Sequence, residues 1–254
     1  MDVAQGSGRE IAAMSKWVKT ILFLAGSAIL TRFIPFASFF RNLDTMVHEF
    51  GHAMATLLLS GNVLRIDLNP DHSGVTYSMM PSSSTWGIAA VSMAGYVTAA
   101  LVSVLLFYLY HKRYLKTGLL FITAVALASV IFFVHEGFGL WWLLGLISLN
   151  AVVLYAGTRP GKWDQYGKLL LKGYYLLLAF LTLEEAALSP LVLVVYSVTD
   201  PAAAGDAANL AKSTSVPALV WSLLFTVFSL YCAKLSLGWF VKGRQPRSHD
   251  GGMQ

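Results

Sequence analysis

His48, Glu49 and His52 stand in the order H-E-x-x-H within TMVHEFGHAMATLLLSG. On a helix, residues four apart share a face, so both imidazoles can aim a ring nitrogen at one metal ion. Glu49, next to His48, is placed to polarise a metal-bound water. Zinc lowers the pKa of such a water to about 7, and the carboxylate takes its proton as the hydroxide attacks a carbonyl. The spacing therefore points to metal-assisted hydrolysis, with Zn2+ as cofactor, His48 and His52 as ligands and Glu49 as general base. The chain has only 6 histidines in 254 residues, so chance rarely yields this pattern.

A catalytic zinc takes three protein ligands and leaves a fourth position for water. Candidates for the third are Asp71, His72, His135, Glu136, Asp164, Glu184, Glu185 and Asp206. Glu184 and Glu185 adjoin one another inside the apolar run LTLEEAALSPLVLVV, where helical geometry points them in different directions. One of them can be a ligand or can orient one. Alternatively, Pro190 marks a helix end and both are interfacial. Asp206 opens GDAANLAKSTSVPALVW, where it reads either as a helix N-cap or as a ligand. His135 and Glu136 beside Gly137 read as an interfacial loop, and Asp164 among basic residues as a solvated one. Gly51 reads as a small residue for close helix packing, the alternative being that it keeps the ion accessible.

The elements that must hold these groups are hydrophobic. Of the residues, 56% are apolar and 12% charged, against roughly 25% charged in soluble domains. Seven apolar runs, at 17–40, 43–60, 86–110, 117–134, 138–157, 168–198 and 216–240, approach the roughly 20 residues that a helix needs to cross a bilayer. Some can be re-entrant, so the expected fold is an all-α polytopic membrane protein with six to seven transmembrane helices. Two histidines and a glutamate inside such a run are costly unless they serve a site. Lys16 and Lys19 precede the first run without a convincing cleavage site behind it, which favours an anchor helix over a signal peptide. The net charge of +5 falls mainly in loops, around His111 to Lys116, Arg159 to Lys172 and Lys242 to Arg247. It carries topology information and does not call for nucleic acid. With seven crossings the three clusters share one side, which the positive-inside tendency makes cytoplasmic. Cys232 is alone and permits no internal disulfide.

One segment breaks the apolar pattern. GNVLRIDLNPDHSGVTYSMM, residues 61–80, alternates polar and apolar positions around Asn-Pro-Asp and Ser-Gly turn signals, and predicts a β-hairpin. Lipid does not tolerate open strand edges, so the hairpin belongs at the interface or in a protein-lined cavity. Residues 199–214 form a small-residue connection that can start a helix near Asp206. The expected organisation is a polar stretch at 1–15, one integral membrane unit at 16–241 and a polar tail at 242–254.

HEFGHAMATLLLSG followed by GNVLRIDLNPDHSGVTYS resembles the site-2 protease class of intramembrane zinc metalloproteases, in which a glycine and a β-hairpin follow the H-E-x-x-H helix. The likeness runs on into VSMAGYVTAALVSVLLFYL, where Ala94, Gly95 and Tyr96 occupy the place of a Gly-Pro-x-x-Asn element and look like the small branch without large accessory domains. The resemblance implies zinc on His48 and His52 with Glu49 as base. The class takes its third ligand from a late Asp-Gly, whose closest counterpart is Asp206 in GDAANL, with Glu185 or Glu184 next. It also implies hydrolysis of a peptide bond in or near the transmembrane segment of a membrane protein substrate, within the lipid bilayer of the cell membrane. It places the hairpin on the cytoplasmic side, opposite to the charge reading. The competing expectation is a non-catalytic membrane binding protein or a transporter that keeps a metallopeptidase-like fold.

Overall fold

The computed structural model describes Val18 and residues 37–81, 85–161 and 164–244. The polar stretch 1–15, most of the first apolar run and the tail beyond 244 lie outside the described residues. Helix α1 (Ala37–Leu58) leads into strands β1 (Asn62–Leu68) and β2 (Gly74–Met79). Four long helices follow: α2 (Thr85–His111), α3 (Leu115–Phe132), α4 (Gly137–Ala156) and α5 (Asp164–Thr199). A 3-10 turn at Pro201–Ala203 precedes the short α6 (Gly205–Thr214), and α7 (Ala218–Arg244) ends the described chain.

Among the described residues, five helices are long and apolar enough to cross a membrane: α2, α3, α4, α5 and the segment Ala218–Lys242 of α7. Their outward faces present Trp141, Val152, Val195 and Val227 as exposed side chains, the arrangement expected of a surface solvated by hydrocarbon rather than water. The chain is an all-α polytopic membrane protein with one short hairpin. Helix α1 departs from the expected span at 43–60: it begins six residues earlier and is not among the five apolar helices. Its 22 residues are about 33 Å long, but Asn42, Asp44, Glu49 and His52 are buried on it against protein. Polar groups on a helix among lipid-facing neighbours are tolerated when they turn inward.

Helix α2 is the hub, packed against α1, α5, α6 and α7. Gly51 of α1 makes a close crossing with α2 possible, because a Cβ there would lie 2.7 Å from Thr98 Oγ1 and 3.0 Å from the Ala94 carbonyl oxygen. The packing role read from the sequence holds. Pro190 does not end α5, which continues to Thr199. The ring removes one backbone donor, while the helix is held on both sides by tertiary packing.

The hairpin is antiparallel, pairing Ile66 with Thr76 and Leu68 with Gly74, with an irregularity between Val63 and Arg65. It is fastened at three places. Ile66 N–H donates to the Phe133 carbonyl in the α3–α4 loop at 2.9 Å, Thr45 Oγ1 donates to the His72 carbonyl at 2.9 Å, and Thr76 Oγ1 reaches Glu49 on α1. His72 sits in the left-handed region at φ 69°, uncommon without glycine. Its ring is tied to Asn42 Oδ1 at 3.2 Å. The hairpin is thus a lid seam against α1 rather than a free ribbon.

Candidate metal centre

Helix α1 carries His48 and His52 one turn apart, and α6 brings Asp206 to them from 158 residues away. Small residues make that approach possible: Ala204, Ala207 and Ala208, together with the larger Leu210, are buried against Ala89, Leu193, Ala218 and Phe225. Ala204 occupies the N-cap position of α6, with Asp206 inside its first turn. The carboxylate reaches the histidines instead of capping its own helix. His48 Nε2 and His52 Nε2 lie 3.0 Å apart, and Asp206 Oδ2 is 3.1 Å from the first and 3.2 Å from the second.

This triangle fits a zinc ion. Two donors on a tetrahedral ion with bonds of roughly 2.05 Å stand about 3.3 Å apart. The donor chemistry agrees: the His52 Nδ1–H donates to the Val91 carbonyl at 2.7 Å, which fixes the tautomer that turns the Nε2 lone pair towards the triangle. Two imidazole nitrogens and a carboxylate oxygen facing one point, with no apolar atom between them, are the set a divalent cation reconciles. Among the described residues, these are the only three metal-type donors grouped this closely.

Gly95 of α2 is what lets the imidazoles in. A Cβ built there would strike both rings, at 2.6 Å from His48 Cδ2 and 2.5 Å from His52 Nε2. Its neighbour Tyr96 packs edge-on against His48 with ring centroids 4.6 Å apart, and stacks on Phe225 at 4.8 Å. Glu49 is buried, and Thr76 Oγ1 lies 2.7 Å from its Oε2. Gly74 lets β2 pass directly over this carboxylate, since a Cβ there would lie 2.7 Å from Glu49 Cγ. These groups open into a cavity of about 940 Å3, walled also by Asp44, Ser73, Ser189, Asn209 and Lys212.

The remaining candidates stand elsewhere. Glu184 and Glu185 are both held by Arg41 of α1, Glu184 Oε1 at 2.8 Å from its Nη2 and Glu185 through Nη1. Adjacent positions on a helix do diverge, yet one forked guanidinium spans the pair. Asp71 caps its own turn, accepting from Ser73 Oγ at 2.7 Å and Ser73 N–H at 3.1 Å, and these bonds hold its carboxyl below the usual range. His72 lines the cavity, where burial and the nearby Arg41 push its ring pKa down. Glu136 precedes α4 as its N-cap residue, next to His135 in the loop, and Asp164 pairs with Lys168 at 2.6 Å. Sequence reasoning missed Thr76, Tyr96, Asp44 and the Val91 carbonyl as parts of this site. Tyr96 alone had a signal, its place in Ala-Gly-Tyr.

The sequence matches the Peptidase M50B-like family over residues 17–236. The chain belongs to this family. It is therefore a site-2 protease-like metallopeptidase by descent, and its five apolar helices make it an integral membrane protein. No curated protein and no solved structure matches it. In this M50B-like chain the H-E-x-x-H lies on α1, and the hairpin that follows it runs across Glu49.

Proposed function

We propose that the protein is a zinc-dependent intramembrane protease that hydrolyses a peptide bond in or near a transmembrane segment of another membrane protein, in the cell membrane. The observation that carries this reading is the convergence of His48 Nε2, His52 Nε2 and Asp206 Oδ2 to within 3.2 Å, with Glu49 on the same helix. His48, His52 and Asp206 hold the zinc. When bound, zinc supplies Lewis acidity and a water acidic enough to be deprotonated near neutral pH.

Glu49 is the proton carrier. Thr76 engages its Oε2, which leaves Oε1 to accept the proton of the attacking water and return it to the leaving amide nitrogen. A substrate helix must be unwound first, because its carbonyls are hydrogen-bonded along the helix. Strand β2 favours the unwound form: it pairs with β1 on one side, and Gly74, Val75, Thr76 and Ser78 line the cavity. An extended substrate segment adds there by strand pairing. Burial of Glu49 and His52 strengthens the polar contacts they make.

The test uses purified protein in detergent and a donor–quencher peptide with one apolar segment broken by Asn-Pro. Glu49→Gln is expected to keep one zinc per chain and lose cleavage, and Asp206→Asn to lose zinc. Cleavage by Glu49→Gln at the wild-type rate refutes the mechanism.

A further inference from the structure

Tyr96 walls the metal centre yet neither holds the ion nor carries the proton. Its ring is clamped between two others, edge-on to His48 and stacked on Phe225, so the phenol has little freedom to turn. Asp44, Glu49 and Asp206 line the same cavity as this ring, which places it amid the reacting groups. Tyr96 also lines the cavity. Its ring is oriented by apolar and aromatic contact, and none of the described hydrogen bonds engages its hydroxyl.

A rigid O–H donor facing a reaction cavity, with its own side chain held by packing, is what a developing oxyanion requires. When water adds to a peptide carbonyl, the C=O pi bond becomes an oxygen lone pair and the oxygen takes on negative charge. A donor that meets the charge only as it develops lowers the barrier without tightening substrate binding. The backbone N–H groups of α1 and α2 beside the triangle are engaged along their own helices, so neither of these two helices offers a main-chain donor there. The cavity's lysine, Lys212, lies six residues beyond Asp206 on α6, about 9 Å along the axis.

The geometry points to Tyr96 as a further catalytic residue, its phenolic O–H donating to the oxygen of the scissile carbonyl as the tetrahedral intermediate forms. The hydroxyl keeps its proton throughout: it donates a hydrogen bond and transfers nothing. Glu49 remains the sole proton carrier. This assignment rests on the protease reading above.

The test is Tyr96→Phe, which preserves both ring contacts and removes only the hydroxyl. Three quantities are measured on wild type and variant: zinc per chain, kcat and KM on the donor–quencher peptide, and affinity for the same peptide with a phosphinate in place of the mapped scissile amide. The variant is expected to keep its zinc and its KM, to lose about 10²-fold in kcat, and to lose a similar factor in phosphinate affinity, the scale for removing one oxyanion donor. A kcat within threefold of wild type, an unchanged phosphinate affinity, or loss of zinc would each overturn the assignment. Wild-type protein that binds zinc yet cleaves nothing overturns the protease reading, whereas wild-type cleavage matched by Tyr96→Phe overturns the assignment alone.

Discussion

Replacing Gly95 by alanine should empty the metal centre while leaving the fold standing. The new Cβ would lie 2.5 Å from His52 Nε2 and 2.6 Å from His48 Cδ2. Ordinary contact begins near 3.4 Å, so each imidazole must retreat by about 0.9 Å, whereas a working metal site holds its distances to within about 0.2 Å. The rings can swing more easily than the α1 and α2 backbones can part, so the overpacking cost stays near 1–3 kcal/mol. The displacement falls on the ligands. His52 cannot swing freely without breaking its 2.7 Å bond to Val91, and His48 is packed against Tyr96. The assay is zinc per chain by elemental analysis, with thermal melting alongside. Gly173→Ala and Gly238→Ala are the controls, because a Cβ at either meets nothing within 4 Å. In those open helical positions alanine is neutral or stabilising, by up to about 1 kcal/mol. The expected result is a folded Gly95→Ala protein with little zinc and two controls with full zinc. Stoichiometric zinc in Gly95→Ala, at wild-type affinity, would refute the argument that this glycine sets the imidazole positions.

Other consequences can be checked separately. Thr76→Val removes the hydroxyl from Glu49 Oε2 and should lower kcat about tenfold with zinc content unchanged, as a charge-assisted hydrogen bond of roughly 1.4 kcal/mol requires. Arg41→Met withdraws the cation from buried Glu184 and should cost about 3 kcal/mol of stability, seen as a lower melting temperature, whereas Glu184→Gln and Glu185→Gln should retain zinc. The ring pKa of His72 is depressed by burial and by Arg41, so its contribution is complete above the unfolded value of about 6.5 and is lost as pH falls below it. The protection of β1 and β2 amides, taken relative to the intrinsic exchange rate at each pH, should therefore fall on acidification from pH 7 to 5, and a His72→Asn variant should not show that step.

Much of this architecture is legible in the chain because it follows from periodicity. The five apolar helices, the hairpin at 61–80 and the small-residue start of α6 each leave a local pattern, and the i, i+4 spacing of His48 and His52 places both on one helical face. What escaped is what depends on tertiary approach. Nothing local distinguishes the Val91 carbonyl, which fixes a histidine tautomer, from any other backbone group. Glu184 and Glu185 look like candidate ligands until Arg41, more than 140 residues earlier, is seen to hold them. Pro190 looks like a helix end because sequence rules cannot see the neighbours that carry α5 through it. Asp206 was separable from the other late carboxylates only through resemblance, and its position beside the imidazoles depends on how α6 docks.

That docking has a consequence for biosynthesis. His48 and His52 are inserted into the membrane early, but their third partner is translated 158 residues later, on a ten-residue helix that has almost no stability until its alanine face finds α2, α5 and α7. A nascent chain therefore passes through most of its assembly with the donor triangle incomplete. Closure of the triangle therefore waits on α6 and on the later α7, against which α6 packs.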